Sequence, residues 1–337
     1  MSSKRVLLPE PIQPEAVGML TKAGCDVVTS PDPKPETVIS LLKGIHAIIL
    51  RTGIRITRDL VSHANDLAII SRTGAGFDNV DVAAASEKEV IVTSNLGVNT
   101  VSVVEHALSL ILALSKRLFL MDKAVREGNF AIRRKNLPQD LGGKTLGLLG
   151  FGAIGRELGR VCHHMLHMKI LAFDPYVDKE TKDGLSDWVR FVELEPLFSS
   201  SDVVSIHVPL TDETRNKVAA RELAWMKPDA ILINTSRGGV IHEEALIEAL
   251  GANKIAGAGL DVFSAEPLPA GSPFKNLENV ILTPHSAALT RQCVVRMATE
   301  AAQCVIDLLD GFVPRNVANS EVLTSERWAY LKRRNEG

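Results

Sequence analysis

Short apolar runs recur along the whole chain, at residues 5–8, 47–50, 68–71, 90–93, 146–149, 170–173, 203–206, 230–233, 256–260 and 280–282. They are rich in Val, Ile and Leu, are bounded by Gly, Asp, Pro or Ser, and are separated by amphipathic stretches of helical length. A strand with one wet face alternates apolar and polar side chains, so an unbroken apolar run of this length calls for cover on both faces. Covered strands alternating with helices form parallel sheets through right-handed crossovers. The predicted class is α/β. At 337 residues the chain exceeds one ordinary core and suits two domains, and its 45% hydrophobic residues suffice to fill them.

Charge and cysteine usage narrow the function. Lys and Arg number 38 against 40 Asp and Glu, a net charge of -2 that offers no broad attraction for nucleic acid or an anionic membrane. No apolar run reaches the roughly 18 residues of a membrane span, and the start MSSKRVLLPE lacks the apolar core of a signal peptide. Cys25, Cys162, Cys293 and Cys304 show no CxxC spacing, which fits a reducing compartment, so a cytoplasmic location is expected.

Two long helices are predicted, over 101–126 and 287–309. In the first, Val104, Leu108, Ile111, Leu112, Leu114, Leu118 and Met121 cover more than one stripe, which suits packing on two surfaces, its own domain and a second subunit. The tail over 314–337 gives no assignment beyond a docked helix or a terminus.

The strongest local signal is Gly150-Phe-Gly152-Ala153-Ile154-Gly155, after an apolar run and before a helix with Ile154, Leu158, Val161 and Met165 on one face. In this spacing the first glycine permits a tight turn, the second lets backbone approach a pyrophosphate, and the third lets helix pack on strand. The free amides of Ala153 and Ile154 at the helix start would face the anion. Asp174 ends the next run, about 20 residues on, where a carboxylate accepts ribose hydroxyls and repels a 2′-phosphate. NAD is therefore favoured over NADP.

Arg237, Asp261, Glu266 and His285 follow further runs, and an open parallel sheet binds ligands outside the carboxyl ends of its strands. Each has an ordinary structural explanation alone; their common placement downstream of a nucleotide fingerprint points to carbonyl–alcohol chemistry. His285 is the candidate acid–base, Glu266 would hold its tautomer, and Arg237 offers a planar fork for a carboxylate. Asp261 is a candidate acceptor from the nicotinamide carboxamide. His163 and His167, four apart, lack a third ligand at metal-site spacing, and Ser94, Ser102 and Ser236 lie in no GxSxG elbow.

These blocks, with Gly74-Ala-Gly76-Phe-Asp78-Asn79-Val-Asp81, Glu105-His106, His207-Val-Pro-Leu-Thr, Asn234-Thr-Ser-Arg-Gly-Gly and Thr283-Pro-His285, resemble the D-isomer-specific 2-hydroxyacid dehydrogenases over about residues 74–288. The resemblance implies a Rossmann nucleotide-binding domain (100–287) inserted into a flavodoxin-like substrate domain (1–99 and 288–337), hinged near Asn99 and Ala287. It implies a catalytic set of Arg237, Glu266 and His285, and cofactor contacts from Asp174, Val208, Thr235, Ser236, Asp261 and Ala287. It further implies a substrate-carboxylate loop at Ala75 and Gly76, and a homodimer formed through the nucleotide domains. Ala75 stands where the family often has threonine. The chain is similar above all to the 3-phosphoglycerate dehydrogenase branch and to the hydroxypyruvate and glyoxylate reductases. Arg51 matches a substrate arginine of the phosphoglycerate enzymes, where a second cation would pair with phosphate. No regulatory domain follows the terminal helix, so serine feedback is not expected. The alternative is an NADH-sensing binding protein of the co-repressor type, because fold does not separate sensor from enzyme.

Overall fold

The computed structural model describes residues 4–333 and divides into two compact units, Met1–Asn99 with Leu289–Gly337, and Thr100–Ala288.

The first unit carries β1 (Lys4–Leu8), β2 (Cys25–Thr29), β3 (Ala47–Leu50), β4 (Ile69–Arg72) and β5 (Ile91–Thr93), all parallel in the order β2-β1-β3-β4-β5. This is the flavodoxin-like order. Successive side chains point to opposite faces. Val6, Leu8, Ile49 and Ile69 accordingly pack on one face, with Ala298, Ala301, Ala302, Val305 and Leu308 of the helix Arg291–Leu309. Leu7, Ile48, Leu50 and Ile70 fill the other face with Val38, Leu42 and Leu60. Each fully buried Leu, Ile or Val contributes roughly 1.5–3 kcal/mol.

The chain end docks on this unit. Val317 bridges Thr93, Asn319 Oδ1 accepts from Val92 N at 2.8 Å, and the buried Trp328 donates from Nε1 to Glu89 O at 2.8 Å. The open edge of β5 is thereby covered. The terminal helix begins at Arg291, with Thr290 as N-cap, rather than at 287.

The second unit carries β6 (Thr145–Leu149), β7 (Lys169–Phe173), β8 (Val189–Phe191), β9 (Val203–Ile206), β10 (Ile231–Asn234), β11 (Gly257–Leu260) and β12 (Val280–Leu282). All are parallel, in the order β12-β11-β10-β9-β6-β7-β8. The order reverses direction at β6–β9, the doubly wound arrangement in which the crevice beside the first strand takes the ligand. Leu146, Leu148, Ile231 and Ile233 face the helix Thr100–Ser115 through Val104, Ala107, Leu110 and Ile111. Leu149, Val204, Ile206 and Leu232 fill the opposite face with Phe198 and Leu246.

The helix expected over 101–126 is broken. Thr100–Ser115 ends, Arg117 turns left-handed at φ 52°, and Leu118–Arg126 starts afresh. The end of the first helix is closed from outside its own sequence: Gln139 N donates to Ser115 O, and Lys116 pairs with Asp140 at 2.6 Å. Apolar periodicity does not register a break made by a distant partner. Beyond it, Leu118, Phe119, Val125, Phe130 and Leu137 are all more than half exposed. No helix among the described residues is long and apolar enough to cross a membrane.

Candidate active site

The carboxyl edge of β6 is built around three glycines. Gly150 sits at φ +97°, and a Cβ there would lie 2.9 Å from the backbone carbon of His207 and from Val208 Cγ1. A Cβ on Gly155 would lie 2.3 Å from Gly150 O, so only glycine lets the helix Ala153–Leu166 close on the turn. Gly152, the N-cap, faces open space with no heavy atom within 4 Å of its Cβ position and no side chain capping the helix. The amides beginning at Ala153 and Ile154 thus point into a volume suited to a pyrophosphate.

Asp174, just past β7, accepts from Phe151 N at 2.8 Å and from Tyr176 N at 2.9 Å, which holds its carboxylate beside the glycine turn. At the end of β10, Thr235 Oγ1 is buried without a hydrogen-bond partner. Buried hydroxyls are normally bonded, so an orphan at this edge indicates a place completed by a ligand. Glycine turn, positioned acid and orphaned hydroxyl fit a dinucleotide.

His207 lies under the same turn, its Cδ2 3.4 Å from the Cβ position of Gly155 and its Nε2 2.9 Å from Ser205 Oγ. Burial pushes its imidazole down to about 4, so the ring is uncharged at neutral pH.

The candidate catalytic residues come from three turns. Buried Asn234 shapes the first: Oδ1 accepts from Ser236 N at 3.0 Å and Oγ at 2.8 Å, and Nδ2 donates to Arg237 O at 2.9 Å. Arg237 Nη1 donates to Ser236 O at 2.8 Å. Gly238 then lies so close to the second turn that a Cβ would come within 1.9 Å of Phe263 C. In that second turn Glu266 Oε1 accepts from Phe263 N at 2.9 Å, and Oε2 lies 2.7 Å from His285 Nδ1. Glu266 and His285 therefore meet as a charge-assisted pair, both partly exposed, with side-chain exposures of 36% and 45%.

His285 itself takes φ +51°, a left-handed conformation that costs an L-residue about 1–2 kcal/mol. The conformation is held by Asp261, whose carbonyl accepts from His285 N at 2.8 Å. Asp261 is fully buried. Its Oδ1 accepts from Thr283 Oγ1 at 2.6 Å and Ser286 N at 2.9 Å, and its Oδ2 from Ala287 N at 2.9 Å. The carboxylate thus braces the turn that carries His285. Ala287 is buried in the same turn.

Arg51, Ala75 and Gly76 belong to the other unit, past the carboxyl ends of β3 and β4. Arg51 Nη1 donates to Pro11 O at 3.2 Å, and Asn79 Nδ2 donates to Arg51 O at 3.0 Å. Among the described residues no protein group accepts the Ala75 or Gly76 amides, as an anion-binding loop requires. Sequence reasoning passed over Arg72. It is buried beneath this loop, its Nε donating to Asn79 Oδ1 at 2.9 Å and its Nη1 2.9 Å from the Cβ position of Gly74. The available signal was a cation closing an otherwise apolar run. In the histidine run, His163 Nδ1 meets Met168 O at 3.1 Å, and His167 ends its helix at φ +54°. Among the described residues no group of three or more His, Cys, Asp or Glu is arranged to hold a metal.

A doubly wound sheet with a glycine turn, an acid held beside it and a Glu–His pair at one edge fits a dinucleotide-binding protein of the oxidoreductase kind. The family model for the NAD-binding domain of D-isomer-specific 2-hydroxyacid dehydrogenases matches residues 108–287. The glyoxylate reductase of Aeropyrum pernix is 37% identical over 331 residues, covering 96% of this chain and 98% of that protein. The D-3-phosphoglycerate dehydrogenase of Archaeoglobus fulgidus is 36% identical over 315 residues, covering 94% of this chain and 59% of that one. The chain spans about half to three-fifths of the length of the phosphoglycerate dehydrogenases it matches. A crystal structure of a glyoxylate reductase from Paecilomyes thermophila aligns with a TM-score of 0.85 at 27% identity, over 95% of this chain and 100% of that chain. The chain belongs to the D-isomer-specific 2-hydroxyacid dehydrogenases.

Proposed function

We propose that the chain is an NAD-dependent dehydrogenase interconverting a small D-2-hydroxy acid and its 2-keto acid. The observation carrying this is the 2.7 Å contact between Glu266 Oε2 and His285 Nδ1 at the carboxyl edge that bears the glycine turn. Bound NAD would supply the hydride acceptor, and in reverse the donor. With Nδ1–H donating to Glu266, His285 Nε2 is the atom left to exchange a proton with the C2 oxygen, as base in oxidation and acid in reduction. Arg237 would pair its fork with the substrate carboxylate and polarise the carbonyl. The amides of Ala75 and Gly76 are assigned to the same carboxylate, Thr235, Ser236 and Val208 to the cofactor, and Asp174 to the adenosine ribose.

Among substrates, a 3-phosphoglycerate-like acid is preferred, on Arg51 and on the names of the matched relatives; glyoxylate or hydroxypyruvate is the alternative. The exposed Leu118, Phe119, Val125, Phe130 and Leu137 support a homodimer through this unit, since a monomer gains nothing from such a surface. Four buried free cysteines support a reducing, cytoplasmic setting.

The test is a steady-state screen of 3-phosphoglycerate, glycerate, glycolate and lactate with NAD, repeated with His285→Ala and Arg51→Ala. His285→Ala should lose about 10²–10⁴ in kcat and still bind NADH. Arg51→Ala should harm 3-phosphoglycerate more than glycerate, and equal losses would remove a phosphate role. Turnover below about 10⁻² s⁻¹ with every acid would favour the NADH-sensing alternative.

A further inference from the structure

His106 is a residue to which the proposed chemistry assigns nothing. It sits on the helix Thr100–Ser115, and its Nε2 lies 3.0 Å from Thr283 Oγ1 and 3.5 Å from Asp261 Oδ1. Its side chain is 21% exposed and Asp261's is 1% exposed, so the contact is largely withdrawn from water.

The directions of these bonds follow from counting hydrogens. Both Asp261 oxygens already accept backbone amides, so at 2.6 Å the Thr283 hydroxyl gives the carboxylate its one hydrogen. Thr283 Oγ1 then has only lone pairs to offer His106, and Nε2 of His106 must carry the hydrogen. The chain of donors therefore runs His106 Nε2–H to Thr283 Oγ–H to Asp261, which also accepts the Ser286 and Ala287 amides. Those two amides and the His285 N–H to Asp261 O bond enclose His285, the residue at φ +51°.

We infer that His106 is a positioning residue: as an Nε2–H donor it fixes the Thr283 hydroxyl toward Asp261 and so holds the strained turn that aims His285. The inference rests on the proposed acid–base role of His285, but the bond itself exists without substrate or cofactor. A leucine at 106 removes the donor. Thr283 is then free to rotate, Asp261 loses a committed donor, and the turn relaxes from its left-handed conformation. Gln can place an N–H near the position of Nε2.

The experiment compares full-length wild type, His106→Leu, His106→Gln and His285→Ala. Imidazole ¹⁵N spectra of the protein without cofactor, taken above pH 8, should show the Nε2–H tautomer at His106; an Nδ1–H tautomer would overturn the inference. With the fastest acid of the screen, His106→Leu should lower kcat about three- to tenfold, the scale of one lost hydrogen bond. KM and the NADH dissociation constant should move less than about twofold, and the His285 imidazole signals should shift. His106→Gln should return kcat to within about twofold of wild type and leave those signals in place. Wild-type turnover and spectra in His106→Leu, or equal losses in both variants, would refute the positioning role. Undiminished activity in His285→Ala would instead remove the catalytic reading, leaving the tautomer result to stand by itself. Should His106→Leu not fold, the wild-type tautomer and the His106→Gln kinetics still decide.

Discussion

Replacing Gly238 with alanine tests whether the Arg237 turn and the Glu266 turn form one rigid seat. The added Cβ would fall 1.9 Å from Phe263 C, 2.2 Å from Phe263 O and 2.4 Å from Ser264 N, all backbone atoms that no side-chain rotation can clear. Restoring an ordinary contact of about 3.4 Å or more requires the turns to part by at least about 1.5 Å. Phe263 does not move alone, because its N–H is held by Glu266 Oε1, and Glu266 in turn holds His285. The separation therefore displaces the guanidinium from the Glu–His pair. A misplacement of about 1 Å costs on the order of 10² in rate, so kcat should fall by that amount or more. Overpacking should cost about 1–3 kcal/mol in stability, measured by denaturant unfolding. NADH affinity, read by fluorescence titration, should weaken less than kcat falls, because the displaced turn carries only the proposed cofactor contacts of Thr235 and Ser236, while the glycine turn follows β6 and lies two strands from β10 in the sheet. Gly271→Ala is the control, since its Cβ position has no heavy atom within 4 Å, and it should leave every parameter unchanged. A Gly238→Ala enzyme within twofold of wild-type kcat would refute the rigid-seat reasoning.

Two further predictions concern the nucleotide edge. Asp174→Ala removes the carboxylate held by Phe151 N and Tyr176 N, and should raise the NADP-to-NAD ratio of kcat/KM by about tenfold or more; an unchanged ratio would remove Asp174 from ribose recognition. His207 supplies a pH dependence: burial depresses its folded value to about 4, so between there and the ordinary imidazole value of 6.5 the unfolded chain binds the proton first. Stability present above about pH 6.5 should therefore be lost as the pH falls toward 4, by about 1–3 kcal/mol, and His207→Asn should flatten that part of the unfolding profile; an equal slope in the variant would place the acid sensitivity elsewhere.

Much of this architecture is written locally. Interior strands such as β3 and β9 are largely apolar runs because both faces are covered, and their limits follow from the residues themselves. The glycine turn is equally local, since spacing, preceding strand and following helix all lie within one segment. The edge strands β2 and β8 escape the same criterion: Cys25-Asp-Val-Val-Thr and Val189-Arg-Phe are only partly buried, so nothing forces an apolar run. Arg237, Glu266 and His285 could be picked out because each follows an apolar run, yet their convergence could not be measured from the chain.

Tertiary structure alone decided the rest. It put Gly238 against Phe263, turned His285 left-handed over Asp261, closed the first helix with Gln139, and brought His106 to Thr283 across 177 residues of chain. Burial of apolar side chains is non-directional and leaves a pattern in every segment it acts on. A hydrogen bond or a close backbone approach depends on distance and angle between groups remote in sequence, and those exist only once the sheet has brought its strand ends together.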